Sequence, residues 1–204
     1  KTNKAIRTCG LSNEMVQRIL NIAKKYHSAT DPFIDGRAIT QPSSIDHMDE
    51  FGLSPQMQKL IRDTREVVPD VMEYVKTTGA QAEKINIFMA DLEEREILRR
   101  ELMAMPELSI SSSMYNNLEV NAKGADKGSA LLWLADHLGI SREGTMAFGD
   151  GENDIPMIKD AGIGVAMENA LDAVKEAADT ITLNNDEDGV AAAIRKFIFG
   201  SSEE

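Results

Sequence analysis

The spacing of hydrophobic residues along the chain changes near residue 119. Before that position, stretches with apolar residues at helical spacing are mixed with short segments in which apolar and polar residues alternate, a pattern typical of a mixed α+β domain. The predicted helices cover 12–27, 55–66, 70–77 and 91–105, and the predicted extended segments cover 29–40, 84–89 and 109–120.

Polar residues indicate where three of these helices begin. Ser12, Ser54 and Asp91 each stand just before a helical pattern, where a short side chain can accept hydrogen bonds from the first turn. In the last of these helices we expect a buried stripe on the inner face. Its members are Leu92, Ile97, Leu98, Leu102 and Met105.

The segment 29–40 carries the strongest hairpin signal. Asp35-Gly36 suits the left-handed backbone of a tight two-residue turn. Asp31-Pro32 precedes that turn, and because proline has no N–H to donate, we expect the first strand to be short or to lie at a sheet edge.

After residue 119 the helices and strands alternate strictly, which favours β-α-β units with parallel strands. We therefore predict two domains: an α+β domain over 1–119, and an α/β domain with a doubly wound parallel sheet over 120–204. The predicted helices are 127–138, 154–161, 170–178 and 187–198, and the predicted strands are 145–148, 162–167 and 179–183.

Composition excludes several classes of protein. With 22 basic and 34 acidic residues among 204, the formal net charge is −12, which disfavours nucleic acid and anionic membranes as partners. No apolar run approaches the roughly 20 residues of a membrane helix. The single cysteine, Cys9, permits no internal disulfide, so we expect a reducing, cytoplasmic location.

The strongest chemical signal is the run Gly-Asp-Gly-Glu-Asn-Asp-Ile-Pro-Met at 149–157, which follows a predicted strand and opens a helix. Ligands of open α/β sheets bind beyond the carboxyl ends of the strands. Asp150 and Asp154 can direct two carboxylates at one point, and hard oxygen ligands favour Mg²⁺ over zinc. The alternative is that these acids only cap the helix and turn the chain.

This run, together with Gly-Ile-Gly-Val-Ala-Met at 162–167 and Lys127-Gly128 before a helix, resembles the haloacid dehalogenase superfamily of phosphohydrolases, in particular its Cof-like sugar-phosphatase branch. The resemblance implies a Rossmann-like core whose C-terminal half is 120–204, with 1–119 as an inserted α+β cap. It also implies phosphoryl transfer through an aspartyl-phosphate, with Mg²⁺ as cofactor.

The resemblance assigns roles to four residues. Asp150 would ligate Mg²⁺, and Asp154 would ligate it directly or through water. Asn153 would help to hold the phosphate or the nucleophile, and Lys127 would offset the negative charge that accumulates during phosphoryl transfer. Lys123, in the same turn of sequence, is an alternative to Lys127.

Two family motifs are missing from their expected places, one with the nucleophile and one with a Ser or Thr that binds phosphate. The family's nucleophile lies in an Asp-x-Asp motif after an N-terminal strand, and no such segment precedes the cap. Asp186-Glu187-Asp188 matches the letters, but its position before the last helix indicates a cap and an acidic first turn. It also imitates a calcium loop, but Arg195 stands where a bidentate glutamate is required.

We therefore expect the nucleophile upstream of a chain that begins at Lys1 and not at Met. The first core strands would then be a removed or separate piece of the same protein. The function expected is a Mg²⁺-dependent phosphatase acting on a small phosphorylated metabolite, with a sugar phosphate favoured, and the 204-residue chain alone should be inactive. Two alternatives stay open: a metal-binding module without a nucleophile, and a fragment of a cation-pumping P-type ATPase.

Overall fold

The computed structural model describes residues 5–200. Within them the chain forms two compact units, which divide between Ala125 and Asp126. This division lies beyond the expected boundary at 119, because a strand that crosses position 119 belongs to the first sheet. None of the helices within 5–200 combines the length and the apolar character needed to cross a membrane.

The first unit is built on a six-stranded sheet with the order β3-β2-β1-β4-β6-β5. All neighbouring strands are antiparallel except β2 and β3, which are parallel. The strands are β1 (Ala29–Ile34), β2 (Arg37–Thr40), β3 (Glu66–Val67), β4 (Lys84–Phe88), β5 (Leu108–Ser111) and β6 (Asn117–Ala122).

The predicted hairpin is confirmed, but its first strand, expected to be short or at a sheet edge, is neither, since β1 has six residues. Asp35 and Gly36 have φ of 52° and 72°, as the tight turn requires. β1 nevertheless lies between β2 and β4. The carbonyl of Phe33 accepts a hydrogen bond from the N–H of Glu83, so Phe33 directs its backbone groups toward β4. Neighbouring residues of a strand direct their backbone groups to opposite sides, so the position of Pro32 that lacks an N–H faces β2. No hydrogen bond is lost there, because β2 pairs only with Phe33 and Ile34 of β1.

Helices of the first unit begin at the expected caps. The hydroxyls of Ser12 and Ser54 each accept from the backbone N–H three residues later, and the Asp91 carboxylate accepts from two backbone N–H groups. The helices are α1 (Asn13–Ala23), α2 (Pro42–Asp46), α3 (Pro55–Thr64), α4 (Val71–Thr78) and α5 (Leu92–Met103).

One face of the six-stranded sheet carries the main hydrophobic core. Ile85 and Ile87 of β4 are fully buried there against side chains from α1, α4 and α5. The expected buried stripe is correct for Leu98 and Leu102 of α5 and for Met105, which lies beyond the end of that helix, but wrong for two positions. Leu92 and Ile97 are 47% and 45% exposed. Instead, Arg95 of α5 is buried, and its Nε donates a hydrogen bond to the carbonyl of Asn117 on β6 at 3.0 Å.

The second unit has the predicted strict alternation and parallel strands, in the order β7-β8-β9. Its core contains Ile158, Ala166 and Val174. The strands are β7 (Met146–Gly149), β8 (Ile163–Ala166) and β9 (Thr180–Ile181), and the helices are α6 (Lys127–His137), α7 (Ile155–Asp160), α8 (Asp172–Ala177) and α9 (Gly189–Ile198).

Candidate active site in the second unit

The loop after β7 is organised by the side chain of Asp154. This residue ends a single 3-10 turn (Glu152–Asp154) and is 6% exposed. Its Oδ2 accepts from the backbone N–H groups of Asp150 at 3.0 Å and Gly151 at 3.1 Å. These hydrogen bonds join the end of the loop to its beginning and so fix the backbone of Asp150 at the end of β7.

The two glycines of the loop serve close packing. Neither Gly149 nor Gly151 has a positive φ, so neither is required for a left-handed backbone in this loop. A Cβ on Gly149 would lie 2.8 Å from the Cγ of Asp154, and one on Gly151 would lie 3.1 Å from the Oδ1 of the half-buried Asn153. Glycine lets both side chains fold back over the loop.

Lys127 is brought to the same loop from α6. It is the first residue of that helix, whose N-cap Asp126 accepts from the backbone N–H of Ser129 at 2.8 Å. The Nζ of Lys127 donates to the Oδ1 of Asp154. Gly128 permits this approach, because a Cβ there would lie 2.7 Å from the carbonyl oxygen of Pro156 on α7.

The alternative lysine, Lys123, belongs to the first unit. Lys123 follows β6 in the first unit, where its backbone N–H donates to the carbonyl of Glu107 at 2.7 Å. In the described residues, Lys127 is the one of the two that makes an ion pair with the loop after β7.

The charge of Asp154 is stabilised despite its burial. Burial is the largest single influence on its pKa and would raise it, but the hydrogen bonds from Lys127 and from the N–H groups of Gly151 and Asp150 together outweigh burial. The pKa of Asp154 is therefore lowered. Near neutral pH Asp154 is therefore a carboxylate, and it forms an ion pair with the Nζ of Lys127.

Asp150 has a different environment. It is exposed at the carboxyl end of β7, where its Oδ2 accepts from the Nδ2 of Asn169 at 3.3 Å and its carbonyl accepts from the N–H of Leu171 at 3.1 Å. The two acids thus differ: Asp154 is held by three donors, and the exposed carboxylate of Asp150 remains open to an external ligand.

Asn169 is the site residue that the sequence interpretation missed. Its Nδ2 reaches Asp150, and its Oδ1 accepts from the backbone N–H of Asn185 at 3.0 Å. One side chain thus connects the loops that follow β7, β8 and β9. The available signal was its position just beyond the predicted strand 162–167, at the edge of the sheet where parallel strands end.

The donor set fits Mg²⁺ in part. Mg²⁺ keeps several waters and usually takes one or two carboxylates, and an exposed Asp150 supplies one. Asp154 would have to share its Oδ1 with Lys127 or act through water. Within residues 5–200, no group of three or more His, Cys, Asp or Glu side chains is arranged so that it could hold a metal ion.

The acidic stretch 186–188 precedes the last helix of the second unit. Residues Asn185–Glu187 form a 3-10 turn capped by Asn184, whose Oδ1 accepts from the N–H of Asp186 at 2.8 Å. Asp188 follows with a φ of 55°, just before α9. The stretch therefore leads into a helix, as expected, although the capping side chain is Asn184 and not an acid.

Comparison with known proteins identifies the relatives of this arrangement. A family model described as haloacid dehalogenase-like hydrolase matches residues 1–194. The Bacillus subtilis protein YcsE, a 5-amino-6-(5-phospho-D-ribitylamino)uracil phosphatase, is 50% identical over 114 residues, which are 54% of this chain and 46% of that protein. YwtE, a Bacillus subtilis phosphatase of the same description, is 36% identical over 151 residues, covering 74% of this chain and 48% of the relative.

Solved structures agree with these matches. A haloacid dehalogenase-like hydrolase from Bacteroides thetaiotaomicron has a TM-score of 0.71 at 31% identity, with 97% of this chain and 71% of that chain covered. A sugar phosphatase of subclass IIB has a TM-score of 0.76 at 26% identity, with 96% and 70% covered. These matches confirm the expected α/β fold class. The chain spans about half the length of the two Bacillus subtilis relatives, 46% of YcsE and 48% of YwtE.

Proposed function

The chain belongs to the haloacid dehalogenase-like hydrolase family, and on that premise we propose that it is part of a Mg²⁺-dependent phosphatase acting on a small phosphorylated metabolite. The observation that carries the proposal is at the carboxyl edge of a parallel sheet, in the loop after β7. There the exposed carboxylate of Asp150 lies close in the chain to Asp154, which forms an ion pair with Lys127 of α6. Both a metal ligand and a fixed cation are required where a phosphoryl group is transferred.

Each side chain has a distinct part in this proposal. Asp150 would ligate Mg²⁺, and Asp154 would hold Lys127 and the loop in place and would ligate the metal through water. Lys127 lies beside the phosphoryl oxygens and stabilises the charge that develops on them, with Asn153 donating to the same group. When bound, Mg²⁺ would neutralise phosphate charge and orient the group for in-line attack.

The nucleophile is proposed to lie on a strand outside this chain. Support comes from the second unit, where β7 pairs on one side with β8 and is the edge strand of the described sheet. A parallel strand added at that edge would end beside Asp150, because parallel strands share their carboxyl edge. Exposed apolar side chains on this unit also suit burial by further core elements, namely Leu134, Leu138, Ile140, Ile181, Leu183 and Phe197.

For the substrate we propose a sugar phosphate or a related phosphorylated polyol. Two of the relatives are named as phosphatases of 5-amino-6-(5-phospho-D-ribitylamino)uracil, a phosphorylated ribityl compound. A solved structure with a similar fold is named as a sugar phosphatase. In this proposal the residues up to Ala125 act as the cap that selects the substrate.

The proposal is tested by recovering the coding sequence upstream of Lys1 and comparing the extended protein with the 204-residue chain. The upstream segment should contain an apolar strand that ends in Asp-x-Asp. With Mg²⁺, the extended protein should hydrolyse p-nitrophenyl phosphate, and the 204-residue chain should not. An upstream segment without this motif, together with an inactive extended protein, would instead support the metal-binding module without a nucleophile.

A further inference from the structure

The sheet of the first unit ends in an open strand, β5. Just before this strand, the carbonyl of Glu107 accepts from the N–H of Lys123 at 2.7 Å, so Glu107 directs its backbone groups toward β6. Neighbouring residues of a strand direct these groups to opposite sides. Leu108 and Ile110 therefore direct theirs away from β6, where no further strand of the described residues pairs with β5. The N–H of Leu108 donates to the carbonyl of Met105, so the open edge presents the carbonyl of Leu108 and both backbone groups of Ile110.

The β5 edge lacks charge, proline and bulges, which natural sheets use to prevent pairing with a further strand. The residues of β5 are Leu-Ser-Ile-Ser, followed by two more serines. All four pair with β6 in one continuous register. The strand is short, however, and a stable interface buries roughly 800 Å² on each partner. Stable pairing at this edge therefore requires a second contact beside it.

Helix α5 offers that second contact. It packs over β5 and β6, with Leu98 and Leu102 buried on its inner face. Glu101 faces α1, because its carboxylate accepts from the Nζ of Lys25 at 2.7 Å and from the Tyr26 hydroxyl at 3.0 Å, just after α1 ends. Since α1 packs on β1, which β4 and β6 separate from β5, the side of α5 turned away from Glu101 lies toward the open edge.

This side of α5 carries two exposed apolar residues and one charge of each sign. At about 100° per residue, Leu92 and Met103 lie about 180° and 200° around the helix from Glu101. They are 47% and 60% exposed. Glu96 and Arg99 lie about 220° and 160° from Glu101, on the same side. We call Leu92, Glu96, Arg99 and Met103 the outer side of α5.

The outer side of α5 is complementary to itself. Leu92 and Met103 are equally far from the midpoint of α5, and so are Glu96 and Arg99. A second α5 lying antiparallel beside the first would therefore bring Leu92 against Met103 and Glu96 against Arg99. Apolar residues thus meet apolar residues and each charge meets its opposite, from both copies alike. This pattern favours a second copy of the chain over an unrelated partner.

The edge and the helix can share one two-fold axis. Two β5 strands paired antiparallel at Ile110 would exchange both backbone hydrogen bonds of that residue. Ile110 lies about 7 Å along the strand from Leu108, and the midpoint of α5 lies about 8 Å along the helix from Met103, at the other end of the same connection. Because strands are about 4.8 Å apart, a helix over β5 and β6 would lie about 10 Å from its copy, the distance of packed helices.

We propose that two copies of this chain associate at the β5 edge, so that their six-stranded sheets continue into one sheet and their α5 helices pack side by side. Each copy has a formal net charge of −12, which opposes association in general. The residues of β5 and the outer side of α5 together have no net charge, so two copies can meet there without this repulsion. The proposal involves neither the loop after β7 nor hydrolysis, and its test is independent of the proposed function.

The experiment is sedimentation equilibrium of the 204-residue chain at concentrations from about 1 to about 500 µM. The measured mass should rise with concentration from 22.4 kDa toward twice that value. Leu92→Glu should raise the dissociation constant at least about tenfold, because it places a carboxylate against Met103 of the other copy. Ile97→Glu is the matched control. Ile97 is 45% exposed on the same helix but lies only about 40° from Glu101, toward α1, so the dissociation constant should not change.

The strand is tested by Ile110→Pro, which removes the N–H that points away from β6, with Ile110→Val as its control. Proline should weaken association at least about tenfold, and valine should not. A mass of 22.4 kDa at every concentration would overturn the proposal. So would wild-type association in Leu92→Glu or in a folded Ile110→Pro, because the copies would then meet elsewhere. Should circular dichroism show that Ile110→Pro does not fold, the comparison of Leu92→Glu with Ile97→Glu decides alone.

Discussion

Two regions of this protein differ in how a buried polar group is hydrogen-bonded. In the loop after β7, the carboxylate of Asp154 receives hydrogen bonds from Lys127, Asp150 and Gly151. In the sheet of the first unit, the buried Oδ1 of Asn86 on β4 receives no hydrogen bond from the described residues. A fully bonded group fixes geometry before any ligand arrives, whereas an unbonded one lowers stability.

The largest effect on stability should come from Asp154→Asn. An amide cannot accept from three donors as a carboxylate does, and Lys127 loses its ionic partner. We expect a loss of about 1–3 kcal/mol in the free energy of unfolding, measured by urea denaturation at pH 7. Asp136→Asn, at an exposed position of α6, is the matched control and should change stability by less than about 0.5 kcal/mol.

The stability difference between wild type and Asp154→Asn should also depend on pH. Because the pKa of Asp154 is lower in the folded state than in the unfolded state, its contribution is complete above the unfolded value of about 3.9 and declines as the pH falls toward the folded value. The stability difference between wild type and Asp154→Asn should therefore be constant from pH 7 to about 5 and shrink below pH 4. A difference that grew on acidification would contradict the assignment.

Gly149→Ala tests how closely Asp154 must approach the strand. The added Cβ would lie 2.8 Å from the Cγ of Asp154, so the carboxylate must move away from its donors. We expect a loss of about 1–2 kcal/mol on urea denaturation. Gly144→Ala is the control, since its Cβ would meet only a methyl group of Ile140 at 3.0 Å. Equal stability of the two variants would show that the loop tolerates displacement of Asp154.

Asn86→Leu should not lower the free energy of unfolding, in contrast to Asp154→Asn and Gly149→Ala. The Oδ1 of Asn86 is buried without a hydrogen-bond partner among the described residues, so replacing this side chain with an apolar one of similar size removes a desolvation cost. We expect stability unchanged or raised by up to about 1 kcal/mol on urea denaturation. If this variant were destabilised as much as Asp154→Asn, the Asn86 amide would be a bonded structural group, and the contrast between the two regions would disappear.

The smallest effect on stability is expected for Asn169→Ala. Asn169 is exposed, and its contact with Asp150 is long, at 3.3 Å, so the free energy of unfolding should change by less than about 0.5 kcal/mol. The Asp150 carboxylate should nevertheless be less well oriented, because it loses the hydrogen bond from the Asn169 side chain. We expect severalfold weaker Mn²⁺ binding, followed by electron paramagnetic resonance, with Asn21→Ala, at an exposed position of α1, as control. Unchanged Mn²⁺ affinity would make the Asn169 contact incidental.

The sequence was informative where structure is local. Ser12, Ser54 and Asp91 cap their helices as predicted, and the hairpin turn at Asp35 and Gly36 follows from the conformations that two adjacent residues favour. The loop at 149–154 was recognisable for the same reason, since all its residues are consecutive in the chain.

Features that depend on distant residues were not predictable in the same way. Helical spacing placed Ile97 on the buried face of α5, but the sheet beneath that helix accepts Arg95 instead, which bonds to Asn117. Likewise, Asp31, Asn86 and Glu119 are separated by tens of residues, and only the register of three strands aligns them. Asn169 reaches Asp150 because two parallel strands end side by side.

The most direct test of the central claim is the turnover number of the extended protein carrying Asp150→Asn, measured with p-nitrophenyl phosphate at saturating Mg²⁺. Loss of the metal-binding carboxylate should reduce kcat at least about a thousandfold, with Asp136→Asn retaining wild-type activity and both variants folded by circular dichroism. Wild-type turnover in Asp150→Asn would contradict the proposal that the loop after β7 is the metal site of a phosphatase.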